Sequence, residues 1–135
     1  MIRILRMQTQ GRGWLEITTE VAACVAETSG DGLCHLHLRH TSASLLITEN
    51  ADPTVRQDLE RWIRRAVPDA DPIYQHDQEG PDDMPAHVRS VLAGVQLAVP
   101  YQQGGLLLGT WQGIYLWEHR QAAHRREVVL SLVPG

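Results

Sequence analysis

The sequence contains no lysine, so all 12 of its basic residues are arginines. That excludes a Schiff-base lysine, a lysine nucleophile and the lysine of a phosphate-binding loop. Cysteine is nearly missing as well. Cys24 and Cys34 stand too far apart for a Cys-x-x-Cys site and read as buried thiols in a reducing compartment. No apolar run approaches the roughly 20 residues that a membrane-spanning helix requires. The opening Met1-Ile2-Arg3-Ile4-Leu5-Arg6 lacks the apolar stretch of a secretion signal. A cytoplasmic protein with no membrane partner is expected. Also missing are a Gly-x-Ser-x-Gly elbow, a Walker phosphate loop and a dinucleotide fingerprint. The 16 acidic residues leave a net charge of −4 with no basic tail, which argues against a nucleic-acid partner. Arg61/Arg64/Arg65 and Arg125/Arg126 remain as candidates for local anion sites.

What is present suits one domain, residues 1–135. At 43% hydrophobic and 21% charged, a chain of this length buries a core without disulfides or a structural metal. Residues 2–8 alternate weakly as a strand, Gly11 and Gly13 make a turn, and Trp14 to Ile17 is extended again, which predicts a β-hairpin. Thr18 or Thr19 offers an N-cap for a helix carrying Val21, Cys24 and Val25 and stopped by Gly30. Leu33 to His40 alternates cleanly, with Cys34, Leu36, Leu38 and His40 inward and His35, His37 and Arg39 outward. Leu45 to Ile47 is a short buried strand.

Asp52 caps a helix with Pro53 at its first position and an apolar stripe of Val55, Leu59, Trp62, Ile63 and Ala66. Arg56, Glu60, Arg61, Arg64 and Arg65 fall on its solvated face. A third helix is capped by Asp83, with Met84, His87, Val88 and Val91 inward up to Gly94. Val95, Leu97 and Val99 alternate as a strand. In the strand from Gln112, the side chains of Gln112, Ile114, Leu116 and Glu118 share one face, with Tyr115, Trp117 and His119 opposite. A turn from Arg120 to Arg126 leads to a buried strand, Val128 to Val133. This order predicts an α+β fold: a single compact domain, mostly antiparallel sheet or sandwich, with about three helices.

The segment from Tyr74 to His87 carries two histidines and four carboxylates (Asp77, Glu79, Asp82, Asp83) around Gly80-Pro81. Loops of this composition usually hold function or are disordered, and the well-patterned helix that follows marks this one as ordered and part of a site. His40 at a strand end, His76 in this loop and His87 at a helix start come from separate elements. Three converging imidazoles with an open position describe a catalytic zinc or related transition-metal site. The plainer alternative is three unrelated histidines, each bonded to backbone. Glu79, Asp83 and Glu118 are candidate partners or proton carriers. Glu118, in register with Ile114 and Leu116, needs a cation or donors to offset its desolvation.

Several stretches, in order along nearly the whole chain, resemble the YjbQ family, described as secondary thiamine-phosphate synthase-like. They are His40-Thr41-Ser42-Ala43-Ser44, then Glu49 through Arg56, then Tyr74-Gln75-His76-Asp77 with Glu79-Gly80 and Asp82 through His87. Gly109 through Ile114 with Glu118-His119 completes the set. The resemblance implies a homotrimer and a site of His40, His76, His87, Gln112 and Glu118 around a metal, with Arg126 pairing with phosphate. It implies a weak activity that joins a pyrimidine diphosphate to a thiazole phosphate and releases pyrophosphate. Expected on that basis is a divalent metal held by His40, His76 and His87, zinc first and magnesium if the substrate is a diphosphate. Glu79, Gln112, Glu118 and Arg126 are the expected catalytic residues and a small phosphorylated molecule the expected substrate. Two other readings stand beside it. One is a trimeric ligand-binding or scaffolding protein without turnover, with outward Tyr115 and Trp117 at an interface. The other is a metal-assisted hydrolase in which Glu79 or Glu118 activates water.

Overall fold

Cys34, Leu36 and Leu38 alternate with polar neighbours because one side of their strand faces the core, and all three are buried in the computed structural model, which describes residues 1–135. The elements run β1 (Ile2–Gln8), β2 (Gly13–Glu16), α1 (Thr18–Val25), β3 (Gly32–Leu38), β4 (Ala43–Glu49), α2 (Pro53–Ala66) and α3 (Asp83–Ala93). They continue with β5 (Gln96–Gln102), β6 (Gly105–Leu106), β7 (Gln112–Glu118) and β8 (Arg125–Pro134). One antiparallel sheet has the order β1-β8-β3-β5-β6 and a second the order β2-β7-β4. Leu36, Leu38, Val128 and Leu130 of the large sheet meet Leu45, Ile114 and Leu116 of the small one, and Val21, Cys24 and Val25 of α1 join the same core. Ile63, Val67 and Trp117 form a second cluster, where α2 covers the other face of the small sheet. The α+β class, the three helices and the antiparallel pairing are as the sequence predicts. No helix is long and apolar enough to cross a membrane.

Several local expectations are corrected. Residues 2–16 do not form a hairpin, because β1 pairs with β8 and β2 with β7 in different sheets. Gly11, at φ +98°, carries the chain across, and a Cβ there would lie 2.4 Å from the carbonyl oxygen of Gln121. Helix α1 starts without a side-chain cap and ends at Val25, ahead of Gly30. Thr18 Oγ1 instead accepts from the Ile114 N–H at 2.8 Å, tying the helix start to β7.

Asp52 does cap α2, accepting from the Thr54 N–H at 2.9 Å. Trp62, however, is 54% exposed while Glu60 is buried, since Trp117 Nε1 donates to Glu60 at 3.2 Å. Helix α3 turns a polar side inward: Asp83, Ala86, Arg89 and Ser90 are buried and Val91 and Leu92 exposed. Arg89 Nη2 donates to the Val67 carbonyl at 2.8 Å and Ser90 Oγ to that of Ala43 at 2.9 Å. Those bonds to neighbouring backbone, rather than an apolar stripe, set the phase of the helix. Tyr115 and Trp117 are buried rather than outward, with Trp117 stacked on Trp14 at 4.1 Å between centroids. Both faces of β7 are therefore covered within the chain.

Candidate functional site

The connection from α2 to α3 has no strand or helix, and its last residues are drawn together by an arginine from the far end of β7. Gly80, at φ +104°, turns the backbone just before Pro81 and the start of α3. Arg120 Nε donates to Asp82 Oδ2 at 3.0 Å, Nη1 to Asp83 Oδ1 at 2.8 Å and Nη2 to the Glu79 carbonyl at 3.0 Å. Asp83 makes no capping bond, so it is not the N-cap that its position in the sequence suggests. Its second oxygen, Oδ2, is left facing two imidazoles.

His76 Nε2 lies 2.7 Å from Asp83 Oδ2 and, since a carboxylate only accepts, donates to it. His87 sits one helical turn beyond Asp83, which places both on one helix face, and its Nε2 is 3.3 Å from the same oxygen. The other nitrogen of His87, Nδ1, donates to the Thr41 carbonyl at 3.0 Å. In the neutral ring this leaves the lone pair on Nε2, aimed at a carboxylate oxygen. Such an arrangement is satisfied by a proton or a cation between the atoms. One ligand atom from each of His76, Asp83 and His87 lies within 4.8 Å of the other two, so the donor set suits a borderline divalent transition ion. Burial alone would raise the Asp83 carboxyl, but hydrogen bonding from His76 and the charge of Arg120 outweigh it and hold it below the usual range. The same bond to Asp83 holds His76 above its ordinary value. Glu79 stands beside them, its Oε2 3.5 Å from His76 Nε2 and its side chain 66% exposed.

The remaining expected residues fall elsewhere. His40 lies past the end of β3, and its Nε2 accepts from the Glu127 N–H at 2.8 Å. Burial and then the charge of Arg126 hold it below its ordinary range. It is thus a histidine bonded to backbone, and Asp83 rather than His40 completes the group with His76 and His87. His40 and His87 do line one cleft of about 370 Å³ with Thr41, Ser90, Val91, Gly94 and Val95.

Glu118 is 1% exposed and accepts from Thr9 Oγ1 at 2.7 Å, from the Arg120 N–H at 3.2 Å and from both Nε and Nη2 of Arg126. Burial would raise its carboxyl, and the Arg126 guanidinium with the other donors holds it below the usual range. Arg126 also donates to Ser42 Oγ at 3.0 Å, so neither member of this pair is free for substrate. Gln112 begins the same strand, about 20 Å from Glu118 at ~3.3 Å per residue. Its Oε1 accepts from the Gly109 N–H at 2.8 Å and closes that turn.

His119, assigned no role above, is fully buried, with Nε2 2.8 Å from Ser44 Oγ and no partner for Nδ1. Burial, reinforced by the charge of Arg89, pushes its pKa down from 6.5 to about 3. The unfolded chain therefore takes up a proton near pH 6.5 that the folded chain refuses until about 3. The folded state is favoured fully above that window and loses roughly 1.4 kcal/mol per pH unit as the pH falls through it. Chemical denaturation at pH 7, 6 and 5 is expected to show this decline, and His119→Gln, which keeps a partner for Ser44 without titrating, to flatten it. Equal slopes for both proteins would refute the assignment.

A family model described as "UPF0047 protein YjbQ-like" matches residues 3–135. The chain is 47% identical over 135 residues to the UPF0047 protein YjbQ of Salmonella typhimurium, covering 96% of this chain and 95% of the relative. It is 48% identical over 131 residues to a UPF0047 protein of Synechocystis, covering 96% of this chain and 88% of the relative. Among solved structures, the crystal structure of the conserved hypothetical protein TT1486 from Thermus thermophilus superposes with a TM-score of 0.87 at 35% identity, over 97% of this chain and 99% of that one.

Proposed function

The chain belongs to the UPF0047, YjbQ-like family, and from that premise we propose a metal-dependent enzyme acting on a small molecule, with His76, Asp83 and His87 as the residues that hold the ion. One observation carries this: two imidazole nitrogens and a carboxylate oxygen gathered within 4.8 Å. Zinc is the first candidate from that donor set. When bound, such an ion polarises a substrate oxygen and makes water a stronger acid.

The chain's own residues supply the rest. The Thr41 carbonyl fixes the tautomer of His87. Glu79, exposed and close to His76, is placed to accept a proton from an incoming water. The cleft beside His87 receives the substrate, and its lining contains no arginine. Phosphoryl groups bound without arginine would rely on the ion alone, because Arg120 and Arg126 are engaged with Asp82, Asp83 and Glu118. Metal-assisted hydrolysis therefore suits the geometry better than transfer between two phosphorylated substrates. The synthase-like reaction is the narrower proposal, resting on the family resemblance and on magnesium to meet the diphosphate charge. Exposed Val91 and Leu92, the former on the rim of the cleft, give the proposed trimer an apolar contact surface.

The test is to strip the protein with chelator and titrate it calorimetrically with Zn²⁺, Co²⁺ and Mg²⁺. Turnover is then measured on carboxylic esters, phosphate esters and the pyrimidine diphosphate and thiazole phosphate pair. One ion per chain and metal-dependent ester or phosphate hydrolysis is the expected result. Pyrophosphate release only when both phosphorylated partners are present would favour the synthase. No binding of any ion would end the proposal.

A further inference from the structure

The donors of Arg120 do more than neutralise an acidic loop. Its guanidinium is only partly exposed and spends three different nitrogens on three acceptors, Asp82 Oδ2, Asp83 Oδ1 and the Glu79 carbonyl. We propose that Arg120 is a positioning residue of the metal centre: it occupies Oδ1 of Asp83, so that Asp83 presents Oδ2 alone to the ion, and it holds the backbone of Glu79 beside the same point. The inference rests on the metal reading above.

Three features support it. A planar guanidinium fixes the directions of its donors, which a lysine ammonium does not. Its attachment is rigid at the other end too, because the Arg120 N–H donates to Glu118 Oε2 and Glu118 is locked by Arg126. The geometry of the site is in this way referred to a buried ion pair in the core. Charge is also balanced. Asp82 takes a second bond from the Gln121 N–H at 2.8 Å and offsets the positive charge of Arg120, so the negative charge of Asp83 remains for a cation. Arg120 thus orients Asp83 without neutralising the centre.

Arg120→Ala and Arg120→Lys are the variants, and Co²⁺ is the probe because its visible absorption reports coordination number as well as occupancy. Groups that orient metal ligands typically change affinity 10- to 100-fold when removed. Both variants are expected to bind Co²⁺ about 10- to 100-fold more weakly than wild type and with an altered spectrum. Millimolar guanidinium is expected to restore affinity and spectrum to Arg120→Ala but not to Arg120→Lys, whose side chain still fills the space. Thermal melts of the metal-free proteins separate this from a general loss of fold, and Arg120→Lys retains the charge if the alanine variant does not fold. Unchanged Co²⁺ affinity and spectrum in the variants would overturn the positioning role, as would weakened binding that guanidinium fails to rescue in folded Arg120→Ala. Wild-type protein that binds no Co²⁺ would instead remove the metal reading itself, and this inference with it.

Discussion

Glu118→Ala is expected to lower the free energy of unfolding by about 3–5 kcal/mol, the range found when one partner of a buried ion pair is removed. The size follows from what is left behind. Arg126 is buried, donates twice to Glu118, and has only Ser42 as an alternative partner. Without the carboxylate its charge stays in the interior with no counter-charge, and Thr9 Oγ1 and the Arg120 N–H lose their acceptor as well. Those bonds join β1's end, β7 and β8, so the loss is felt across both sheets. Chemical denaturation at pH 7 measures it, and the double variant Glu118→Leu/Arg126→Met separates the stranded charge from lost packing. That double variant is expected to recover most of the stability, because apolar replacement of a whole buried pair is often neutral. A loss under 1 kcal/mol in Glu118→Ala would show that the pair does not bear on stability.

Asp83→Ala has the largest expected effect on ligand binding. It removes the only carboxylate among the three proposed ligands and leaves the two imidazoles with only the exposed Glu79 nearby. One zinc per chain in the wild type is expected to become none by elemental analysis after gel filtration. A saturating ion also raises apparent stability, by about 2.7 kcal/mol at a hundred times its dissociation constant. That zinc-dependent rise in melting temperature should disappear in Asp83→Ala. His40→Ala is the informative contrast. Since His40 already accepts from the Glu127 amide and stands apart from the cluster, zinc stoichiometry should survive its loss. A zinc-dependent shift that persists in Asp83→Ala, or vanishes in His40→Ala, would return the centre to the three-histidine arrangement that the sequence alone suggests.

Strand β3 was legible because one of its faces is buried and the other is not, and α2 because Asp52 and Pro53 announce its start. Strand β7 was legible as a strand but its cover was not: with both faces buried, alternation cannot tell inside from outside, and Tyr115 and Trp117 looked outward when they are buried against α2. Helix α3 misled for another reason. Its inward residues, Arg89 and Ser90, bond to the backbone of other segments, and a rule based on apolar spacing has no means of counting such bonds.

Within the site, His76 and His87 could be picked out from composition and helix position. Asp83 was visible too, one turn before His87, but the same residue type in the same place is also what a helix cap looks like. The role of Arg120 could not be read, because its partners lie some 40 positions earlier in the chain and only the folded path of β7 brings them within reach. Gln112 and Glu118 share a strand face, yet a shared face says nothing of distance along it.

The carbonyl of Thr41 that receives the Nδ1 proton of His87 belongs to the main chain. Every amino acid supplies that group, so the genetic code offers no single substitution at position 41 that deletes it. The orientation of His87 is accordingly insulated from mutation at its own support. It answers instead to the course of the backbone between β3 and β4, and a deletion or insertion there would disturb His87 more than any exchange of the Thr41 side chain.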